Sequence, residues 1–152
     1  MSITIQVKYF SELTTQELYG ILQLRSEVFV VEQQIIYQDI DGKDEKALHV
    51  LGFKNHKIIA YTRVFNPGDY FEWASIGRVV VAKKERSFKY GYAIVNASIK
   101  VIEDQLKEEK IKISAQLYLK SFYNNLGFIE KGDSYLEDGI PHIAMIKSKE
   151  LS

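Results

Sequence analysis

The hexapeptide Arg86-Ser87-Phe88-Lys89-Tyr90-Gly91 follows the apolar run Val79-Val80-Val81 and opens a stretch of helical periodicity. A helix start leaves several backbone N–H groups without intrahelical partners and carries partial positive charge, so a strand-turn-helix junction is a natural anion site. Gly91 permits close approach to the backbone, and Arg86 and Lys89 add two cations. Alone, the stretch reads more readily as an ordinary βα turn with two solvated cations. A nucleotide-binding reading is disfavoured, because the Walker Lys-Ser pair and the dinucleotide glycine triad are both absent. Tyr123 is a phenol able to donate a proton, or a core tyrosine with its hydroxyl at the surface. Glu32, His49, Glu72 and His142 are candidates for a general base or an amine ligand. Glu32 interrupts an apolar helical pattern directly after Val30-Val31, which points to a role; pairing with a nearby Arg or Lys is the alternative. His49 lies inside an apolar strand, where a satisfied core histidine is the competing reading. Arg78 breaks the strand between Ile76 and Val79 on the face of Val80, which suggests a buried ion pair. His142 follows Pro141 and serves either to tie down a strand end or in chemistry.

These residues need elements to hold them. Ile3, Ile5, Val7 and Tyr9 alternate as in a strand. Thr14 to Glu17 forms a capping box, predicting a helix or helix pair that ends near Gln33. Tyr37 to Glu45 is an acidic loop. Leu48 to Phe53 and Ile58 to Phe65 read as a hairpin, and Asn66-Pro67-Gly68-Asp69 as a turn. A strand follows from about Trp73 to Ala82, then a long helix from about Lys89 to Lys107. That helix carries two apolar stripes, one through Tyr90, Ala93, Ile94, Ala97 and Val101, the other through Val95, Ile99, Ile102 and Leu106. They predict burial on both sides, by the sheet and by another helix, with a dimer contact as the alternative. Ile111 to Gln116 is a strand, Lys120 to Leu126 a short helix, and Phe128 to Lys131 and His142 to Lys147 are strands. The fold class is α/β: a central mixed β-sheet, with a parallel pair across the long helix and flanking helices.

Arg86 and Gly91 match the pyrophosphate loop of the GNAT superfamily of acyl-CoA N-acyltransferases, with Lys89 standing where the first glycine is usual. Gln116, Tyr123 and Gly127-Phe128 reproduce the register of that family's second half, with Gln for the commoner Asn. Leu24 to Gln33, Asp39 to Gly42, Ala47 to Gly52, Ile76 to Val81 and Glu137 to His142 resemble the ElaA-like branch, so the resemblance covers nearly the whole chain. It implies acetyl-CoA as acyl donor, inserted between two splayed parallel strands, and direct transfer to a primary amine, with Tyr123 as general acid toward the leaving thiolate. The implied cofactor contacts are Val79, Val80 and Val81, then Arg86, Ser87, Phe88, Lys89, Tyr90, Gly91 and Tyr92, then Gln116, Phe122 and Tyr123. On the acceptor side stand Glu32, with a catalytic role, and His49, Arg78, Glu137 and His142. An acyl-CoA-binding module without turnover is the alternative function.

Composition narrows the rest. The 152 residues suit one domain spanning 1–152, with 46% hydrophobic residues to build a core. Twenty basic and 20 acidic residues leave no net charge, which argues against nucleic acid. The absence of cysteine excludes a disulfide scaffold, a thiolate zinc site and a cysteine nucleophile, and no metal is expected. There is no signal-peptide pattern and no apolar run of spanning length, so a soluble cytoplasmic protein without a membrane partner is expected. The expected acceptor is a small-molecule or peptide amine, and the expected state a monomer or homodimer.

Overall fold

Local codes start most of the elements. The structure, a computed structural model, describes residues 3–149. The alternating N-terminal residues form β1 (Thr4–Tyr9). The capping box closes as read: Glu17 N–H donates to Thr14 Oγ1 and Thr14 N–H to Glu17 Oε1, opening α1 (Thr15–Arg25). The expected helix does not continue as α to Gln33. From Ser26 to Glu32 it widens into a π-helical segment, a device frequent at functional sites. β2 (Leu48–Lys54) and β3 (Lys57–Phe65) are joined through Asn55 and His56, both at positive φ (51° and 64°), as a two-residue type I′ turn requires. β4 (Ala74–Val81), α2 (Tyr90–Asp104), β5 (Ile111–Gln116) and α3 (Lys120–Asn125) follow.

The last two strands are longer than expected. β6 (Ile129–Glu137) and β7 (Ile140–Lys147) form a hairpin closed by Asp138-Gly139, with φ of 51° and 78°. Asp-Gly is a strong hairpin signal. Its turn carries the ladder beyond Lys131 and brings Glu137 opposite Ile140.

The seven strands form one mixed sheet in the order β1-β2-β3-β4-β5-β7-β6. Its single parallel contact is β4 with β5, through Ala74–Ile111 and Ser75–Lys112 alone. Beyond Ser75 the two strands part, while β5 stays paired with β7 from Ile111 to Gln116. A bulge sharpens the divergence. Tyr61 faces Val80 and Arg63 faces Gly77, so Thr62 opposes two residues, Arg78 and Val79. Arg78 takes φ +49° there. The extra residue resets the alternation: Ile76 and, past the bulge, Val79 and Val81 pack with α2, while Val80 packs with α1.

The two stripes of α2 are not opposite sides. They flank Ser98, which is buried and bonded to Ile94 O and the Thr62 hydroxyl, and together they make one wide face on β1 to β4. Asn96, Lys100 and Asp104 point to solvent. A helix whose apolar arc spans about half its circumference is satisfied by a twisted sheet without a second helix.

Candidate active site

The gap between β4 and β5 opens into a cavity of about 620 Å³. One end is lined by Val79 to Val81, Arg86, Lys89, Gly91 and Tyr92, with Gln116, Phe122 and Tyr123 across from them. Lys89 precedes α2 in the left-handed conformation (φ 60°, ψ 26°), and no side chain caps the helix. The first-turn N–H groups of Gly91 and Tyr92 therefore remain available to an anion. A Cβ on Gly91 would lie 3.4 Å from the Phe122 ring, so the helix start is closely covered on that side. Tyr92 and Phe122 pack with ring centroids 4.6 Å apart. Phe88 and Tyr90 instead turn toward Lys54, whose Nζ lies 4.5 Å and 5.6 Å from their ring centroids. Their side chains, and that of Ser87, do not line the cavity.

Tyr123 is buried among Phe122 and Phe128, edge-on to both, and reaches the cavity. Burial, and to a lesser degree the neighbouring Tyr118, push its phenol well above the ordinary tyrosine range. It therefore carries its proton throughout the working pH range.

Glu32, delivered by the π-helical segment, lines the same cavity but is held by the motif arginine. Arg86 Nη1 and Nη2 donate to its two carboxylate oxygens at 2.6 Å and 2.8 Å, and Arg86 Nε donates to Val81 O at 3.1 Å. The bond from Arg86 keeps the Glu32 carboxyl below the usual range. The structure thus joins two residues that were expected to serve different substrates.

Arg78, read from the sequence as a member of a buried ion pair, lines the cavity inside a closed ring of charges whose other members went unforeseen. Arg25 pairs with Asp39 and Asp44, Arg63 with Asp44 and Asp41, and Arg78 with Asp41 and Asp39. Three arginines and three aspartates alternate, and the ring pins the 37–45 loop across β3 and β4. Arg25 and Arg63 are fully buried. Burial alone would raise the Asp41 and Asp44 carboxyls; Arg63 on the first and Arg25 on the second outweigh it and hold both below the usual range. Asp39-Ile40-Asp41 was visible as a motif, but no local signal ties it to Arg63.

His49 belongs to this interior and not to the cavity. It is buried, with Nδ1 2.6 Å from the Tyr61 hydroxyl and Nε2 2.9 Å from Asp44 O. Both ring nitrogens are taken inside the protein, as in the satisfied core histidine of the competing reading, and burial lowers its pKa. Glu72 is likewise away from the cavity, bonded to Lys112 at 3.2 Å.

The opposite wall comes from β5 and the β6–β7 hairpin. Ser114, Glu137 and His142 line it together with Gln116. The Ser114 hydroxyl donates to Glu137 Oε1 at 3.1 Å and is bonded to the Tyr135 hydroxyl. His142 Nδ1 lies 2.8 Å from Ile140 O, and its Nε2 lies 3.4 Å from Glu137 Oε2. Ser114 and Tyr135 had carried no signal in the sequence. Among the described residues, no group of three or more His, Asp or Glu side chains is arranged to hold a metal ion.

A mixed sheet with one parallel pair that splays over a cavity, closed by an uncapped helix start, is the arrangement of acyl-CoA N-acyltransferases. The chain belongs to the GNAT acetyltransferase family, whose domain model matches residues 11–149. It is 40% identical over 141 residues to protein ElaA of Escherichia coli K12, covering 91% of this chain and 92% of that one. The crystal structure of E. coli ElaA superposes with a TM-score of 0.90 at 39% identity, covering 96% of this chain and 99% of that one. An acyl-CoA N-acyltransferase from Pseudomonas aeruginosa gives 0.91 at 35% identity, covering 97% and 100%.

Proposed function

We propose that the protein transfers an acetyl group from acetyl-CoA to a primary amine by direct attack in a ternary complex. The observation that carries this reading is the continuity of three features along one cavity: the uncapped start of α2 at Lys89 to Gly91, the β4–β5 gap, and the buried Tyr123 phenol. The first suits a pyrophosphate, with Lys89 and Arg86 as cations. The second leaves edges of β4 and β5 unpaired, to which the amides of a pantetheine arm can bond as an added strand. The third suits a leaving thiolate.

The amine nitrogen attacks the thioester carbonyl carbon and forms a tetrahedral oxyanion. The donor this reading assigns to the oxyanion is a backbone N–H of bulged β4, in the stretch Val79 to Val81. The C–S bond then breaks, and Tyr123 gives its proton to the thiolate. The buried phenol carries the proton this step needs. Glu32 adds negative charge at the rim, which attracts a cationic acceptor.

The test is a thermal melt with acetyl-CoA, followed by thiol release over a panel of primary amines. Acetyl-CoA should raise the melting temperature, and Gly91→Asp should abolish the rise. A Cβ at Gly91 meets only the edge of Phe122, so the effect is expected from the new carboxylate and not from misfolding. Tyr123→Phe should lower kcat about 10²–10⁴-fold with the thermal shift retained. A thermal shift without thiol release from any amine would instead favour a binding module.

A further inference from the structure

We propose that Glu137 and His142 together receive the acceptor's primary ammonium group and that His142 Nε2 removes its proton. This rests on the acyltransferase reading and adds to it the base and the form of the acceptor.

The tautomer follows from one contact. Ile140 O, 2.8 Å from His142 Nδ1, is a carbonyl and can only accept. The ring proton is therefore on Nδ1, and a neutral His142 presents a lone pair at Nε2. That lone pair faces Glu137 Oε2 at 3.4 Å. A neutral imidazole nitrogen and a carboxylate oxygen are both acceptors and cannot bond to each other. A group carrying several N–H donors and a positive charge satisfies both at once, and a primary ammonium has three. Once the proton has moved, the imidazolium itself pairs with the carboxylate. The same two side chains thus fit the state before transfer and the state after it.

The carboxylate is held for this purpose. Ser114 donates to Glu137 Oε1, leaving Oε2 to face the histidine. Glu137 is half-exposed at the mouth, while His142 is buried behind it, so an ammonium arriving from solvent meets the charge first and the base second. Glu32 is less suited to deprotonation, because both of its oxygens are engaged by Arg86.

The placement also fits the stereochemistry. Gln116, His142 and Tyr135 are register partners across β5, β7 and β6, so they share one face of the sheet. Ala115, Ile143 and Met145 point to the other face, in the core that contains Tyr123. His142 and Tyr123 therefore approach the gap from opposite faces. A thioester in the gap is open to an amine on the His142 side while Tyr123 serves the sulfur from the other.

R–NH₃⁺ gives one proton to His142 Nε2, and the free amine forms the C–N bond. The tetrahedral adduct loses a second proton from nitrogen to solvent as the C–S bond breaks. The thiolate takes the Tyr123 proton, which the imidazolium proton replaces through solvent. The net products are the amide, free CoA and one proton.

The experiment compares His142→Asn and Glu137→Gln with the wild type. The asparagine amide can still donate to Ile140 O, and the glutamine can still accept from Ser114. His142→Asn should reduce kcat for primary amines by about 100-fold or more, with the acetyl-CoA thermal shift unchanged. Glu137→Gln should chiefly raise the KM for the amine. Wild-type kcat in His142→Asn overturns the proposal. So does loss of activity and acetyl-CoA binding together in His142→Asn, alongside a wild-type KM in Glu137→Gln, which would make His142 structural. If the wild type binds acetyl-CoA but turns over no primary amine, the acyltransferase reading falls, and the pair's role falls with it.

Discussion

Arg86 satisfies three acceptors at once, and two of them belong to Glu32. In the proposed complex a pyrophosphate needs the same guanidinium, so cofactor and carboxylate compete for it. The pair is part-exposed, and such ion pairs contribute at most about 1 kcal/mol. Glu32→Gln should therefore tighten acetyl-CoA by no more than about fivefold, while kcat/KM falls for cationic amines because the rim loses a charge. Calorimetric titration and amine kinetics measure the two effects separately. If neither changes, the pair is a tether between the π-helical segment and the loop before α2, with no part in either substrate's binding.

At the scale of the element, the start of α2 departs from the family pattern in one residue. The position of the usual first glycine is left-handed here, and a lysine occupies it. A non-glycine residue in that conformation costs about 1–2 kcal/mol. Lys89→Gly should remove this strain and raise the melting temperature of the free protein. It should also weaken acetyl-CoA, because the cation beside the pyrophosphate is lost. Opposite movements of stability and affinity are the expected signature in melts with and without acetyl-CoA. If the cofactor-induced shift is the same in both proteins, Lys89 contributes only backbone geometry. The bulge at Arg78 is comparable: a positive φ in mid-strand bends β4 away from β5 and aims Arg78 into the ring.

For the whole molecule, the ring of three arginines and three aspartates ties α1, the 37–45 loop, β3 and β4 into one unit. Asp44 accepts from two buried guanidiniums. Asp44→Asn should destabilise by about 3–5 kcal/mol, as expected when one partner of a buried ion pair is removed. Acid should act in two stages. His49 has a lowered pKa in the fold, so the unfolded chain takes up its proton first, and stability falls as pH drops below about 6.5. Asp41 and Asp44 are depressed too, so their contribution is complete above about pH 4 and is lost as pH falls further. Melting temperature against pH should show both stages, with His49→Gln abolishing the upper one. A single transition below pH 4 in the wild type would remove His49 from the account.

What the sequence determined by itself was whatever is written in consecutive residues. The capping box at Thr14, the hairpin join at Lys54 to Lys57 and the βα turn at Arg86 to Gly91 are codes of a few positions, and they predict the elements correctly. The spacing of Gln116, Tyr123 and Gly127-Phe128 carried the family by the same means. Asp138-Gly139 was equally legible as a hairpin and was passed over, at the expense of the ends of β6 and β7. Tertiary structure decided the rest, because it depends on contacts between distant residues. Glu32 meets Arg86 across 54 positions and Arg63 meets Asp41 across 22. Charges are interchangeable in a sequence, and only chain geometry selects their partners. His49 shows the other side of this: its type allowed chemistry and its place in an apolar strand allowed a core role, and only its burial against Tyr61 and Asp44 put it in the interior.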